Sequence, residues 1–331
     1  MTDTLSRNDQ PLLVLKIDVD TYRGTREGVA NLVRMLTSHG AQATFLFSLG
    51  PDHTGWALRR ALRPGFFSKV SRTSVVEHYG IKTLMYGTLL PAPDIGRDCA
   101  DEMRAVAAAG FECAIHTWDH TLWQDNVAKK GEQWTVSMMR KAHARHAQIF
   151  GSAPRTHGAA GWQMNAFAFA EHDVAGYRYA SDGRAQLQDN GALLDRASGP
   201  HRLSNGEHVF TCIQMPTTLP TLDELLGREL DGKMIGTANI AEHLLGLTQT
   251  PRDHVYTLHA ELEGQKLAPV FEQLLRGWLA QGYRLASMAD YYEKIKNEAL
   301  PVRPLTWGEL PGRSGELILE GPTSDTASPA H

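Results

Sequence analysis

Short, mostly apolar runs alternate along this chain with longer stretches whose apolar residues recur at helical spacing. The first run, Leu12 to Ile17, is closed by Asp18 and Asp20. A run of that length bounded by polar residues reads as a buried strand. Thr25 to Ser38 follows, with Val29, Leu32, Val33 and Leu36 on one helical face and Gly40 as its stop. Ala43 to Ser48 reads as a second strand. Strand, helix and strand in so short a span predict parallel pairing through right-handed crossovers. The same logic predicts helices over 98–109, 134–150, 237–247 and 268–280, a short one around 165–170, and strands ending near His116, Ala180, Met215, Leu258 and Ala286. Between them, Arg155 to Trp162 is rich in glycine and alanine; it is either an ordinary loop or one that lets backbone approach a ligand closely. His143 and His146 lie far from any strand end and read as surface residues.

The segment 55–93 breaks the alternation. Arg59, Arg60, Arg63, Lys69, Arg72 and Lys82 stand against one acid, Glu77, and are interleaved with Trp56, Phe66, Phe67 and other large apolar residues. That mixture suits a segment lying on an anionic bilayer, with Trp56, Arg59, Arg60, Arg63, Phe66 and Phe67 as the docking residues. The alternatives are an insertion whose apolar side packs on its own domain, or a surface for an acidic protein partner.

Composition narrows the function classes. At 331 residues, with 42% hydrophobic and 21% charged, the chain can bury one full core. A net charge of -4 and a pI near 6.4 argue against a nucleic-acid partner. Cys99, Cys113 and Cys212 form no CxxC pair and fit a reducing compartment. Met1 to Gln10 is polar, so no secretory signal is expected, and no apolar run reaches transmembrane length. A cytoplasmic protein is expected; oligomeric state is not specified by any of these features.

The chemistry collects at strand ends. Asp18 and Asp20, two apart on a strand, project to one side and are costly there unless paired or metal-bound; the alternative is a helix N-cap with a solvated neighbour. His116 and His120 share a face if the chain turns helically on leaving its strand, and imidazole suits zinc and other transition metals. Among 15 histidines, however, such spacing also arises as one packed and one exposed ring. Asp182 and His259 end two further strands, and parallel strands bring their carboxyl ends to one mouth. One carboxylate and two imidazoles leave coordination positions for water, the pattern of a catalytic metal. A second carboxylate can accept a proton from water, and a distant histidine can protonate a leaving amine.

With those residues placed, the chain resembles the polysaccharide deacetylases of the NodB-homology type. Their first motif ends in two acids, matched by Asp18 and Asp20; their second has two histidines separated by three residues, matched by His116 and His120; their last is matched by Leu258-His259. The resemblance implies an α/β fold, a distorted (β/α) barrel with fewer than eight strands, here with a basic and apolar insertion after the second strand. It implies Asp18 as base, Asp20, His116 and His120 as ligands of one divalent transition metal (Zn, Co, Mn or Ni), and His259 as general acid, with Asp182 orienting it. The family's arginine-bearing third motif is replaced by His157 to Trp162, so Arg23, Arg26 and Arg184 become the candidates for holding Asp18.

Ile17 to Gly28, Ala159 to Trp162, Thr218 to Thr221 and His259 to Glu261 are together similar to the bacterial 4-deoxy-4-formamido-L-arabinose-phosphoundecaprenol deformylases, over about Leu12 to Pro311. This closer resemblance implies removal of a formyl group from an aminoarabinose on undecaprenyl phosphate, on the route to modified lipid A and polymyxin resistance. Arg23, Gly161, Trp162 and Arg184 would bind substrate. The expected organisation is a polar arm over 1–11, one domain over 12–311 and a disordered tail over 312–331, docked on the cytoplasmic face of the inner membrane. The rival readings are a soluble deacetylase of an N-acetylated sugar or polyamine, and a non-catalytic, membrane-docked metal protein.

Overall fold

Strand β1, Leu12–Val19, is buried at every position and sorts its side chains by alternation. Leu13, Leu15, Ile17 and Val19 join the large core beneath the surrounding helices, while Leu12 and Val14 join a second, smaller core. That second face continues through Lys16 and Asp18 to Asp20, one step beyond the strand. One face of one strand therefore runs from apolar to charged, and the molecule is built around that gradient. The computed structural model describes residues 10–57, 80–311, 313 and 315–322.

The other strands of the sheet are β2 (Thr44–Ser48), β3 (Glu112–Thr117), β4 (Thr156–His157), β5 (Tyr179–Ala180), β6 (Ile213–Gln214), β7 (His254–His259) and β8 (Arg284–Ala286). Seven of them follow one another in the order β7-β1-β2-β3-β4-β5-β6, and every pairing in the sheet is parallel. β8 pairs with Leu12 to Val14 only, and β2 takes over from Lys16 onward. Seven strands thus reach the carboxyl-end mouth, as expected of a distorted barrel with fewer than eight. The edges β6 and β7 share no ladder; Thr218 bridges the gap, its N–H donating to the Val255 carbonyl at 2.9 Å and its hydroxyl accepting from the Val255 N–H at 2.9 Å. The opposite end is plugged by the helix Met288–Ile295, whose Met288, Tyr291 and Ile295 pack on Leu12, Val14 and Val255.

The predicted helix over 25–38 begins with a wider π turn, Gly24–Gly28, before regular helix over Val29–Ser38. Its glycines permit close packing: a Cβ on Gly28 would lie 2.0 Å from the Ala260 carbonyl oxygen, and one on Gly24 1.9 Å from a Glu261 carboxylate oxygen. β4 falls inside the stretch read as a loop; two residues carry no periodicity to detect. His146, expected at the surface, is buried on the helix Glu132–Phe150, its ring nitrogens 3.2 Å from the Cys113 carbonyl and 3.3 Å from that of Ser152.

The tail also departs from expectation. Leu317–Leu319 is a buried strand antiparallel to Thr306–Gly308, and Glu320 pairs with the Arg303 guanidinium at 3.0 Å. Three successive apolar residues and a buried ion pair outweigh the Gly, Ser, Thr and Pro around them. Residues 323–331, like the arm 1–9, lie outside the described residues. Among the described residues no helix is long and apolar enough to cross a membrane.

Candidate active site

The charged end of the β1 face meets the ends of β3 and β7 at the mouth. Asp20 places Oδ1 3.2 Å from His116 Nε2 and Oδ2 3.4 Å from His120 Nε2. His116 is the penultimate residue of β3, with its Nδ1 2.6 Å from the Gly158 carbonyl, which directs Nε2 toward Asp20. His120 opens the helix His120–Asn126, capped by Asp119 through the Leu122 N–H at 3.0 Å. The helical turn stacks the two imidazoles 5.3 Å apart. Burial acts to raise the Asp20 carboxyl, but His120, His116 and His259 hold it well below the usual carboxylate range. Asp20 Oδ1 is buried with no hydrogen-bond partner, and the three donors lie within 4.8 Å of one another. Two imidazoles, an ionised carboxylate and an orphaned oxygen fit a divalent transition metal.

Asp18 and His259 flank this triad and are register partners across β1 and β7. Asp18 Oδ2 is 2.9 Å from Lys16 Nζ, while Oδ1, 3.9 Å from His116 Nδ1, has no hydrogen-bond partner. The support for Asp18 is therefore this lysine, two residues earlier on the same strand face, and none of Arg23, Arg26 or Arg184. Arg26 reaches Glu102 at 2.7 Å, Arg23 pairs with Glu27 at 2.8 Å, and Arg184 is engaged by Glu224. His259 keeps a little solvent contact, and its Nδ1 is 4.0 Å from Asp223. Burial works against its protonation, but Asp223, Asp20, Asp18 and Glu263 together raise it above the usual histidine range. Asp223 itself is brought down to about 2: burial opposes this, and Arg313 and His259 prevail.

Asp182 does not orient His259. Its carboxylate is fully buried and accepts from His157 Nδ1 at 2.7 Å, the Ala159 N–H at 2.9 Å and Gln214 Nε2 at 3.0 Å. The carboxylate that stands beside His259 Nδ1 is Asp223, which lies just beyond the Thr218 to Thr221 stretch. Two further buried acids were missed. Glu261 Oε1 accepts from the N–H groups of Asp20 and Thr21 at 3.1 and 2.9 Å, so it fixes the turn that presents Asp20. Burial, followed by the charge of Asp20, pushes Glu261 up to about 8. Glu263 accepts from the His259 N–H at 3.0 Å, and burial pushes it up to about 7.

The residues expected to bind substrate divide. Trp162 is buried with a left-handed φ of 54°, next to Gly161 at φ 61°. Its ring centre has Arg184 at 4.4 Å, Arg313 at 4.7 Å and Lys16 at 5.1 Å, each within cation–π range. Arg184 is fully buried, bonded to Glu224 at 3.0 Å and to the Leu219 carbonyl at 3.2 Å, so it is a strut behind Trp162 rather than a surface for ligand. Arg313, from the tail, reaches Glu224 at 2.7 Å and Asp223 at 3.2 Å. Trp56 is half-buried, stacked on His53 with centroids 3.8 Å apart, and its N–H donates to the Gly87 carbonyl at 2.7 Å. Arg59, Arg60, Arg63, Phe66 and Phe67 lie outside the described residues.

The chain is 33% identical over 276 residues to a protein of Shewanella sediminis (strain HAW-EB3) assigned as a 4-deoxy-4-formamido-L-arabinose-phosphoundecaprenol deformylase, ArnD, with 82% of each sequence covered. A Wigglesworthia glossinidia brevipalpis protein with the same assignment is 28% identical over 307 residues, covering 90% of this chain and 98% of that one. Among solved structures, a protein of Mycobacterium smegmatis assigned as a polysaccharide deacetylase superposes with a TM-score of 0.62 at 15% identity, covering 93% of this chain and 97% of its own, which shows a shared fold. No family model matches the chain.

Proposed function

This chain belongs to the family of 4-deoxy-4-formamido-L-arabinose-phosphoundecaprenol deformylases, and from that premise we propose that it hydrolyses the formamide of undecaprenyl-phosphate 4-formamido-4-deoxy-L-arabinose to formate and the free amine. The product would feed aminoarabinose modification of lipid A, on the way to polymyxin resistance. The observation that carries the reading is the meeting at one mouth of an Asp20–His116–His120 donor set, at 3.2 and 3.4 Å, with Asp18 and His259 paired in register beside it.

A divalent transition metal (Zn, Co, Mn or Ni) held by Asp20, His116 and His120 would supply Lewis-acid polarisation and acidify water. Asp18, anchored through one oxygen by Lys16, offers the other to take a proton as water attacks the formyl carbon. His259, whose acidic neighbours favour its protonated form against the pull of burial, delivers a proton to the sugar nitrogen as the C–N bond breaks. Trp162, buried between Lys16, Arg184 and Arg313, would brace the site from behind.

A substrate on a polyprenyl chain stays in the bilayer, so we also propose that the segment 55–93 docks on an anionic membrane surface. Supporting this, Ile81 and Leu89 are 68% and 79% exposed, with exposed Lys82 between them in sequence. Basic residues would contribute about 1 kcal/mol each near anionic lipid. Liposomes of anionic and of neutral lipid separate the outcomes: docking requires salt-sensitive binding to the first only, weakened when Arg59, Arg60 and Arg63 are neutralised.

The activity itself is tested by formate release from an undecaprenyl-phosphate formamido-arabinose analogue, with chelator and with each metal restored. Chelator-sensitive formate release is expected. Acetate from the matched acetamide without formate would replace the reading with a general deacetylase, and metal binding without turnover would replace it with a non-catalytic protein.

A further inference from the structure

Gly158 and Ala159 share a peptide plane held at both ends. The Gly158 carbonyl is 2.6 Å from His116 Nδ1, and the Ala159 N–H donates to Asp182 Oδ1 at 2.9 Å. In a trans peptide these two groups point in opposite directions, so fixing the N–H aims the carbonyl. Asp182 is itself immobile. Oδ1 also accepts from His157 Nδ1 at 2.7 Å, Oδ2 accepts from Gln214 Nε2 at 3.0 Å, and its own N–H donates to Gln214 Oε1 at 3.2 Å. Position 158 has no room for a side chain: a Cβ there would lie 2.4 Å from Leu46 Cδ1 and 2.8 Å from Lys16 Cε.

Ligand atoms of His157, His172 and Asp182 lie within 4.8 Å of one another, and both His172 ring nitrogens are buried without a hydrogen-bond partner, Nδ1 standing 3.6 Å from Asp182 Oδ2. A second metal is nevertheless disfavoured, because both Asp182 oxygens already accept hydrogen bonds and His157 spends its Nδ1 on one of them. We propose that Asp182 is a positioning residue for the metal ligand His116, acting through the Gly158–Ala159 peptide. The inference rests on the metal reading of Asp20, His116 and His120. The peptide carries the effect of a carboxylate to an imidazole it does not touch: Asp182 keeps His116 Nδ1 a donor, so Nε2 presents its lone pair beside Asp20. Negative charge at the N–H end also polarises the carbonyl and tightens its hold on the ring.

The test is a cobalt(II) titration against a competing chelator on untagged wild type, Asp182→Asn, Asp182→Ala and His172→Leu. Asp182→Ala should weaken binding by about tenfold to a hundredfold, the range for loss of a ligand's outer support. Asp182→Asn should weaken it less, since an amide oxygen still accepts from Ala159, and it preserves packing should the alanine variant fail to fold. His172→Leu, which removes a charge neighbour of Asp182 but none of its hydrogen bonds, should bind nearly as wild type does. In 15N spectra of the histidine rings, the His116 Nδ1–H signal should shift in the Asp182 variants only. Unchanged affinity in folded Asp182 variants would overturn the proposal, as would equal weakening by His172→Leu. Two metal equivalents in wild type and one in His172→Leu would replace it with a second metal site. A wild type that binds no metal would instead sink the metal reading beneath it.

Discussion

Two clusters of one carboxylate and two imidazoles lie at the carboxyl ends of this sheet, and they differ in what their carboxylates still have to give. In Asp182, His157 and His172 all three residues are buried and both carboxylate oxygens accept hydrogen bonds from fixed donors. In Asp20, His116 and His120 one carboxylate oxygen has no hydrogen-bond partner, and the His120 side chain is 20% exposed. The first carboxylate is fully committed to the architecture; the second keeps an oxygen free for the metal chemistry proposed above. Residue type does not separate them. The number of uncommitted lone pairs on the carboxylate does, and that is a property of its neighbours.

The sharpest way to break the contrast is to empty the reactive cluster. Asp20→Ala should abolish stoichiometric metal binding and turnover together, seen by metal analysis of the dialysed protein beside a formate assay. Asp18→Asn should retain the metal yet lower kcat by about a hundredfold to ten-thousandfold, the usual contribution of a positioned base. Undiminished turnover would remove Asp18 from that role.

Lys16→Met asks whether the reactive side depends on its own buried strut. It strands a buried Asp18 carboxylate, so a loss of about 3–5 kcal/mol in unfolding free energy is expected at neutral pH, by denaturant melts. A stability near wild type would mean that the Lys16–Asp18 pair contributes little to the fold.

Subtler effects follow from protonation. If His259 acts as a protonated acid, activity falls as pH rises through its raised pKa; Asp223→Asn removes the largest upward influence and should move that limb of the pH–rate profile to lower pH. An unmoved limb would assign it to another group. Glu263, raised from 4.5 to about 7, binds a proton in the fold that the unfolded chain has released between those values. Its contribution is therefore fully present below about 4.5 and declines as pH rises to about 7, by roughly 1.4 kcal/mol per unit of pH. Glu263→Gln should flatten that part of the stability curve, and an identical slope in the variant would show that Glu263 is ionised throughout.

Much of this was legible in the sequence. Asp18, Asp20, His116 and His259 follow apolar runs that became strands, so alternation placed them at one mouth, and His120 follows His116 at the spacing of one helical turn. What stayed hidden was the choice among chemically equal partners. Lys16 sat inside an apolar run where a buried amine demands a carboxylate, yet arginines were sought elsewhere. Asp182 follows β5 by two residues as His259 ends β7, but its carboxylate is spent on His157, Ala159 and Gln214, and only three-dimensional packing says so. Arg313 lay in a tail judged by composition, where three apolar residues at 317–319 were the available cue.

The close pairing of β1 with β7 has a consequence for when the enzyme comes into being. Asp20 and Glu261, which holds its turn, are 241 residues apart in the chain. Synthesis at about 5–20 residues per second therefore separates the emergence of Asp20 from that of Glu261 by tens of seconds. Once His120 has emerged, the nascent protein owns its proposed metal donors but has neither His259, the proposed acid, nor the Glu261 clasp that orients Asp20. Competence arrives late and at once, as β7 docks beside β1, so a truncated translation product of this chain would be inert.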